Sequence, residues 1–314
     1  MRPADGSGAT ALKPAESGKN RWSMDYFICN VCCARNRLPQ HAFEREAPSC
    51  ETCGSSVRVR SLLHALSNEL LGVSLALPDF PRVRGLCGLG VSDGAAYSER
   101  LREKLDYHNT FYDREPRLDL LNPPAGDLGK YDFLVASEIF EHVPPPVEHA
   151  FDCALKLLKP NGVLVLSVPY SLDARTREHF PSINQFGLAQ VGGRTVLVNR
   201  SPEGRLDVTD DVVFHVGCAG PAPEFREFSE SGLRAALGAA GFQEFRIYSD
   251  DYLPFGIVHA EAWSLPIAAR RGAFGLNVDA ARDIVEHWRN AHLELKRLGS
   301  SWWFRVGRKL KICK

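Results

Sequence analysis

No run of the chain approaches the eighteen or so apolar residues that a membrane span requires; the best candidate, residues 162–168, has strand length. The first twenty residues are rich in Gly, Ser, Ala, Pro and Lys and lack the apolar stretch of a signal peptide. They read as a disordered arm on a cytoplasmic protein. Net charge is missing too: Lys+Arg and Asp+Glu are both 38. That balance excludes a surface built throughout for nucleic acid, because phosphate binding rests on clustered Lys and Arg. No internal repeat is present.

What is there is ordinary globular material. A length of 314 residues suggests about two domains, and 44% hydrophobic residues suffice for a sizeable core. Nine cysteines include two tight pairs, which in a chain without an export signal points to metal ligation before disulfides.

Periodicity divides the chain. Val59, Leu62, Leu63, Leu66 and Leu70 predict a helix that Gly72 ends. Beyond it, short apolar runs alternate with amphipathic stretches. Strands are predicted at 83–87, with Gly88-Leu-Gly90 as the turn leaving the first, and at 108–112, 118–121, 131–136, 163–168 and 242–248. Helices are predicted around Tyr97 and Leu101, from Val147 to Leu158 with a stop at Pro160-Asn-Gly162, and over 228–240. This alternation means an α/β fold: βαβ units in a mostly parallel sheet covered on both faces. Val278, Ala281, Val285, Trp288, His292 and Leu295 predict a last helix at near-heptad spacing. No acid follows Glu294, while seven Lys and Arg surround Trp302, Trp303 and Phe304. The expected organisation is an arm (1–21), a zinc ribbon (22–56), a helical connector (57–80), a main domain (81–270) and a C-terminal helix with a basic aromatic tail (271–314).

The ribbon rests on Cys29-Asn-Val-Cys32 and Cys50-Glu-Thr-Cys53, with seventeen residues between the pairs. Two-residue spacing lets both thiolates of a pair reach one ion, and two such knuckles complete the closed S4 shell of a structural zinc. A segment this small needs the metal for much of its stability. Gly54 follows the second pair, whereas Cys33, a bystander or an alternate ligand, takes the matching place after the first. From Arg21 to Leu70 six Arg face five acids, a net +1 that suits a docking or substrate-shaping appendage and not a nucleic-acid clamp.

In an open parallel sheet, ligands bind beyond the carboxyl ends of the strands where strand order reverses. The candidates there are Gly88, Gly90 and Asp93 after the first strand, then Asp113 or Glu115 near the end of the second. Asp119 on the third and Ser137 with Glu138 after the fourth complete them. Asp113 lies twenty-three residues beyond Gly90, where an acid can accept both ribose hydroxyls. Asn122-Pro-Pro-Ala125 looks like the N-P-P motif of enzymes that methylate base amino groups, but it has Ala where an aromatic would stack, and it reads as a turn.

Glu138-Ile-Phe-Glu-His-Val143 and Leu157-Leu-Lys-Pro-Asn-Gly162 resemble motifs of class I S-adenosylmethionine-dependent methyltransferases. Gly90-Val-Ser-Asp93, Tyr107-His-Asn-Thr-Phe-Tyr112, Glu115-Pro-Arg-Leu-Asp119 and Glu178-His-Phe-Pro181 resemble a bacterial subgroup that carries an N-terminal zinc ribbon. The likeness runs from about Phe27 to Pro266. It implies a Rossmann-like seven-stranded sheet with helices on both faces and the last pair of strands antiparallel. It also implies Gly88, Gly90 and Asp93 near the methionine part of the cofactor, Asp113 or Glu115 at ribose, Asp119 near adenine, and Ser137 and Glu138 at the methyl. Leu86 departs from the pattern, which places an acid there, and Asp93 is the substitute for that contact. Asn161 replaces a glycine and tolerates the same backbone region.

Transfer to a hydroxyl needs a base, and His179 and His215 lie in an insert of the kind that builds acceptor pockets. His142 belongs to the strand-end motif and reads as partly structural. The C-terminal stretch resembles short tails on bacterial proteins of cell-surface glycan assembly, which implies a carbohydrate or related small acceptor. Basic residues among aromatics also suit peripheral contact with anionic lipid. The sequence thus leads to O-methylation of such an acceptor. RNA methylation guided by the ribbon, or a non-catalytic ribbon-bearing partner protein, is the alternative.

Overall fold

A computed structural model describes residues 26–38, 44–210, 212, 214–217, 220–273, 275 and 278–300. The expected arm and the basic tail lie outside these residues, apart from the last helix.

A hairpin, β1 (Tyr26–Ile28) and β2 (Arg35–Arg37), opens the described chain and leads into α1 (Val57–Leu71). Ser56 caps α1 by accepting from the Val59 amide, and Gly72 closes it at φ 69°, a left-handed conformation glycine adopts freely. The predicted helix is therefore observed, starting two residues before the first apolar position of the pattern.

The main sheet takes β3 (Val83–Val91), then α2 (Ala95–Lys104) and β4 (Leu105–Thr110). After β5 (Tyr131–Ser137) come α3 (Val147–Leu157) and β6 (Leu158–Ser167). An insert of short strands follows: β7 (Tyr170–Ser171), β8 (Arg177–Glu178), β9 (Gln185–Val191), β10 (Arg194–Arg200), β11 (Leu206–Thr209), β12 (Phe214–Gly217), β13 (Gly220–Pro223) and β14 (Arg226–Ser229). The chain returns through α4 (Glu230–Ala239), β15 (Glu244–Ile247) and β16 (Ile267–Arg270), and α5 (Val278–Ser300) closes it.

Among the described residues the central sheet has six strands in the order β15-β16-β6-β5-β3-β4, where the resemblance implied seven. The first four strands in sequence run parallel, and β16 runs antiparallel to both its neighbours. The strand expected at 118–121 does not form. Asp119 turns the chain there, accepting from the Leu121 amide at 3.0 Å and from Asn122 Nδ2 at 2.9 Å, so β4 is the sheet edge. This is an Asx-type turn outcompeting a ladder.

The glycines also differ from expectation. Gly88 and Gly90 lie inside β3, not in a turn after it. A Cβ on Gly88 would fall within the Phe133 ring, and one on Gly90 would collide with the Tyr107 hydroxyl and the Asp93 carboxylate. Their hydrogens give Tyr107 and Phe133 room to stack, with centroids 5.8 Å apart and planes 7° from parallel. Likewise β6 runs through Pro160-Asn-Gly162, where a stop was expected, at an irregularity in its register with β5.

Alternation along the strands supplies both faces of the core. Leu89, Leu134 and Leu164 pack with Phe151, Leu155 and Leu237 of α3 and α4, whereas Leu86, Phe133 and Val163 pack with Leu62 and Leu66 of α1 and Leu101 of α2. The cysteine-bearing N-terminal segment joins this second face through Phe27 and Val31.

Candidate functional site

Parallel register brings the carboxyl ends of the strands to one edge. Val91 pairs with Thr110 and with Ala136, and Ser137 pairs with Ser167. Strand order reverses between β3 and β5, because β4 lies on one side of β3 and β5 on the other. Residues 92–93 and 137–138 therefore flank the crevice where open α/β sheets take ligands.

Both chain exits are unusual. Ser92 and Glu138 have φ of 58° and 55°, left-handed for residues that carry a Cβ. Such strain persists only where surroundings impose it, and it gathers at functional sites. Here the Glu138 amide donates to the Ser167 carbonyl at 2.8 Å, and the Ser92 amide donates to the Thr110 carbonyl at 2.7 Å. Each exit is thereby tied to the neighbouring strand.

Asp93 is buried beneath the crevice. It accepts from the Tyr97 hydroxyl at 2.6 Å and from the Tyr107 hydroxyl, and Asn109 brackets its backbone on both sides. Burial pushes its carboxyl up to about 7, against the pull of the two hydroxyls.

Two arginines from the N-terminal segment cover the crevice, and neither had been assigned a role from the sequence. Arg45 grips Glu138 with both terminal nitrogens, at 2.7 and 3.2 Å, and donates through Nε to the Ser264 carbonyl at 2.8 Å. Arg58, in the first turn of α1, donates to the Ser137 hydroxyl, which lies 3.1 Å from that of Ser167. Burial raises the Glu138 carboxyl, but the guanidiniums of Arg45 and Arg58 outweigh it and hold Glu138 below the usual range. Glu46 lies between the two arginines: Arg58 Nε reaches its oxygens at 2.9 and 2.7 Å, and Arg45 donates to it as well.

The crevice thus gathers Asp93, Ser137 and Glu138, with Gly90 behind them. The remaining cofactor candidates lie elsewhere along the edge. Asp113 and Glu115 are exposed in the loop after β4, where Glu115 accepts from the Arg117 amide at 3.0 Å, and the Asp119 carboxylate is engaged in its own turn. Gly88 belongs to the packing of the sheet.

Beyond the crevice, Glu141 is fully buried, and among the described residues neither carboxylate oxygen has a hydrogen-bond partner. His142 Nε2 lies 3.8 Å from one of them, and burial together with Glu138 raises the carboxyl well above the ordinary range. Arg226, also buried, ties the insert to this region by donating to the Phe140 and Val143 carbonyls and to Glu178. His142 Nδ1 lies 2.9 Å from the Pro223 carbonyl. His179 Nδ1 lies 3.0 Å from the Glu224 carbonyl. A carbonyl only accepts, so that nitrogen carries the proton and Nε2 is left basic. His215 lies on β12, and its side chain is outside the described residues.

A cavity of about 260 Å³ adjoins the arginines, lined by Arg45, Arg58, Ser61, His259, Trp263 and Leu265 among others. Burial lowers His259 below its ordinary value. A larger cavity of about 550 Å³ lies against α3 and α4 and shares no residue with the crevice.

The four ribbon sulfurs lie within 4.8 Å of one another, Cys29 to Cys53 at 3.7 Å and Cys32 to Cys50 at 3.6 Å. A tetrahedral ion with metal–sulfur bonds of about 2.3 Å has edges of about 3.8 Å, so the set fits zinc. The two knuckles are matched turns: the Cys33 and Gly54 amides donate to the Cys29 and Cys50 carbonyls, each at 2.8 Å, and Cys33 and Gly54 have φ of 60° and 68°. Cys33 is exposed and stands outside the cluster. Arg60 fastens the ribbon to the body, stacking on Phe27 and donating to the Ser55 carbonyl at 2.7 Å and the Gly256 carbonyl at 3.0 Å.

The chain is similar to several known proteins. Among solved structures, the Burkholderia thailandensis 1,6-didemethyltoxoflavin-N1-methyltransferase, with its substrate and S-adenosylhomocysteine bound, is 16% identical. The match covers 66% of this chain and 76% of that one at a TM-score of 0.37. A sugar N-methyltransferase, KedS8 from a Streptoalloteichus species, is 14% identical over 71% of this chain and 89% of that one, at a TM-score of 0.39. A Haloferax volcanii complex of the Trm112 methyltransferase activator with a methyltransferase matches at 16% identity, 68% and 92% coverage and a TM-score of 0.36. No curated relative matches the sequence. The methyltransferase domain family matches residues 31–244, more than half of the chain. The chain belongs to that family and is an S-adenosylmethionine-dependent methyltransferase.

Proposed function

We propose that the chain methylates an oxygen of a carbohydrate or related small acceptor, with the methyl donor held over the crevice between β3 and β5. When bound, S-adenosylmethionine supplies a methyl group activated on a sulfonium. The observation that carries the reading is the donor set at the switch point. Glu138 suits an ammonium or a sulfonium, the guanidiniums of Arg45 and Arg58 suit a carboxylate, and Ser137 is a neutral partner between them, with Asp93 proposed to support the methionine part from beneath. Asp113 or Glu115 would accept the ribose hydroxyls from the end of β4, and Asp119 would adjoin the adenine.

The acceptor side draws on the adjoining cavity, whose roughly 260 Å³ suits a small molecule. Three of the six arginines counted between Arg21 and Leu70, namely Arg45, Arg58 and Arg60, turn inward onto protein partners. That arrangement supports a substrate-shaping ribbon over an RNA-binding one. His179 and His215 are the proposed proton acceptors, and the carbonyl on His179 Nδ1 orients its basic Nε2. The residues of the crevice contribute by aligning acceptor oxygen and methyl carbon, which by itself accounts for a large share of the rate in such transfers. The ribbon cysteines Cys29, Cys32, Cys50 and Cys53 are proposed to hold one structural zinc.

Labelled methyl transfer into fractionated cell extract tests the acceptor class. Label in a glycan or small-molecule fraction supports the proposal, and label confined to RNA or protein refutes it.

A further inference from the structure

Resting on the reading above, we propose that Arg45 and Arg58 form a carboxylate clamp in which Glu46 is an internal stand-in that a ligand carboxylate displaces. The two guanidiniums face two carboxylates that are held in different ways. Glu138 is 18% exposed at its side chain, strapped to β6 through its amide, and set by a left-handed backbone. Glu46 is 55% exposed at its side chain, and its carboxylate accepts from the two arginines. Fixed and exchangeable partners are thereby separated on one pair of cations.

Both oxygens of Glu46 share the one N–H of Arg58 Nε, at 2.9 and 2.7 Å, and one of them also accepts from Arg45. The carboxylate is thus held by charge-assisted contacts from two guanidiniums, without the full two-pronged fork that a carboxylate can make with an arginine. Glu46 immediately follows Arg45, so its effective concentration at the clamp is high, while its exposure leaves a path outward. Exchange keeps the charge balanced, because one anion replaces another beside Arg45, Arg58 and Glu138. The clamp sits between the switch-point crevice and the cavity lined by His259 and Trp263, so the incoming carboxylate has two possible sources. One is the amino-acid end of the methyl donor; the other is an acidic acceptor such as a uronic acid.

The test uses full-length, zinc-loaded protein and calorimetry. S-adenosylhomocysteine is compared with 5′-methylthioadenosine, which lacks the amino-acid part, and D-glucuronate is compared with D-glucose on protein saturated with S-adenosylhomocysteine. Arg58→Ala should weaken the carboxylate ligand about tenfold, the scale of one lost charge-assisted contact in a partly exposed site. Glu46→Gln, at an exposed position with an unchanged circular dichroism spectrum, should tighten the same ligand severalfold by removing the competitor. If S-adenosylhomocysteine responds and 5′-methylthioadenosine does not, the donor is the source; if glucuronate responds and glucose does not, it is the acceptor. The clamp is overturned if both nucleosides bind the wild type while neither carboxylate ligand responds to either substitution. Failure of the wild type to bind either nucleoside would instead remove the donor site itself; glucuronate and glucose are then titrated into the ligand-free, zinc-loaded protein, where indifference of glucuronate to both substitutions overturns the clamp.

Discussion

At Gly88 one missing methyl group decides how two aromatic rings pack. A Cβ there would lie within the Phe133 ring that stacks on Tyr107. Gly88→Ala is therefore expected to destabilise the fold by about 1–3 kcal/mol, the usual cost of overpacking, seen as a lower urea midpoint with an unchanged slope. Asp93 makes a prediction in pH. Burial raises its carboxyl from 3.8 to about 7, so the native state keeps a proton that the unfolded chain releases. Stability from this group is full below pH 3.8 and declines as pH rises towards 7. Asp93→Asn should flatten that decline in unfolding curves across the same window; an unaltered slope would count against a buried, proton-holding Asp93. Both residues stood out in the sequence, but their neighbours did not. A glycine in a strand and a glycine in a turn look alike until the residue facing it is known. Tyr97, read as a helix position, and Tyr107, named only within a family motif, showed nothing of their shared carboxylate.

Elements with a strong period were legible: α1, α3 and α4 lie where the apolar spacing put them, with Ser56 and Ser229 as caps. Ser56→Ala should lower stability by about 1 kcal/mol through loss of the cap, measured by thermal melting. The third strand failed because Asp119 has a local turn available, a competition that hydrophobic pattern does not register. The insert from β7 to β14 gave little signal because it pairs strands of two to seven residues in small separate sheets, and the longest of them are exposed (β9) or half-buried (β10), with little apolar alternation. For α5 the period marked a helix but not its surroundings: Val285, Trp288 and Leu295 are exposed, while the buried contact is Ala280. The ribbon is the element with the sharpest test. One zinc per chain is expected by elemental analysis, falling on Cys29→Ser or Cys50→Ser; a stable, metal-free wild type would refute the assignment. Arg45 and Arg58 lie between and just beyond the knuckles, so removing the metal with a chelator should also weaken nucleoside binding.

Across the whole molecule, the crevice belongs to no single segment. Asp93, Ser137 and Glu138 come from the sheet and were legible as strand-end residues. Arg45 and Arg58 come from the ribbon side, and a charge count could only total them. Their inward course also bears on partners: with those cations engaged, RNA binding should be weak and should show a shallow salt dependence. The central claim is that this edge of the sheet grips the methyl donor. Calorimetric titration of zinc-loaded, full-length protein with S-adenosylhomocysteine tests it most directly, in the wild type, Glu138→Ala and Asp119→Ala. The account predicts saturable binding of one ligand per chain, weakened in both variants. No binding to the folded wild type, or the same affinity in all three proteins, would contradict it.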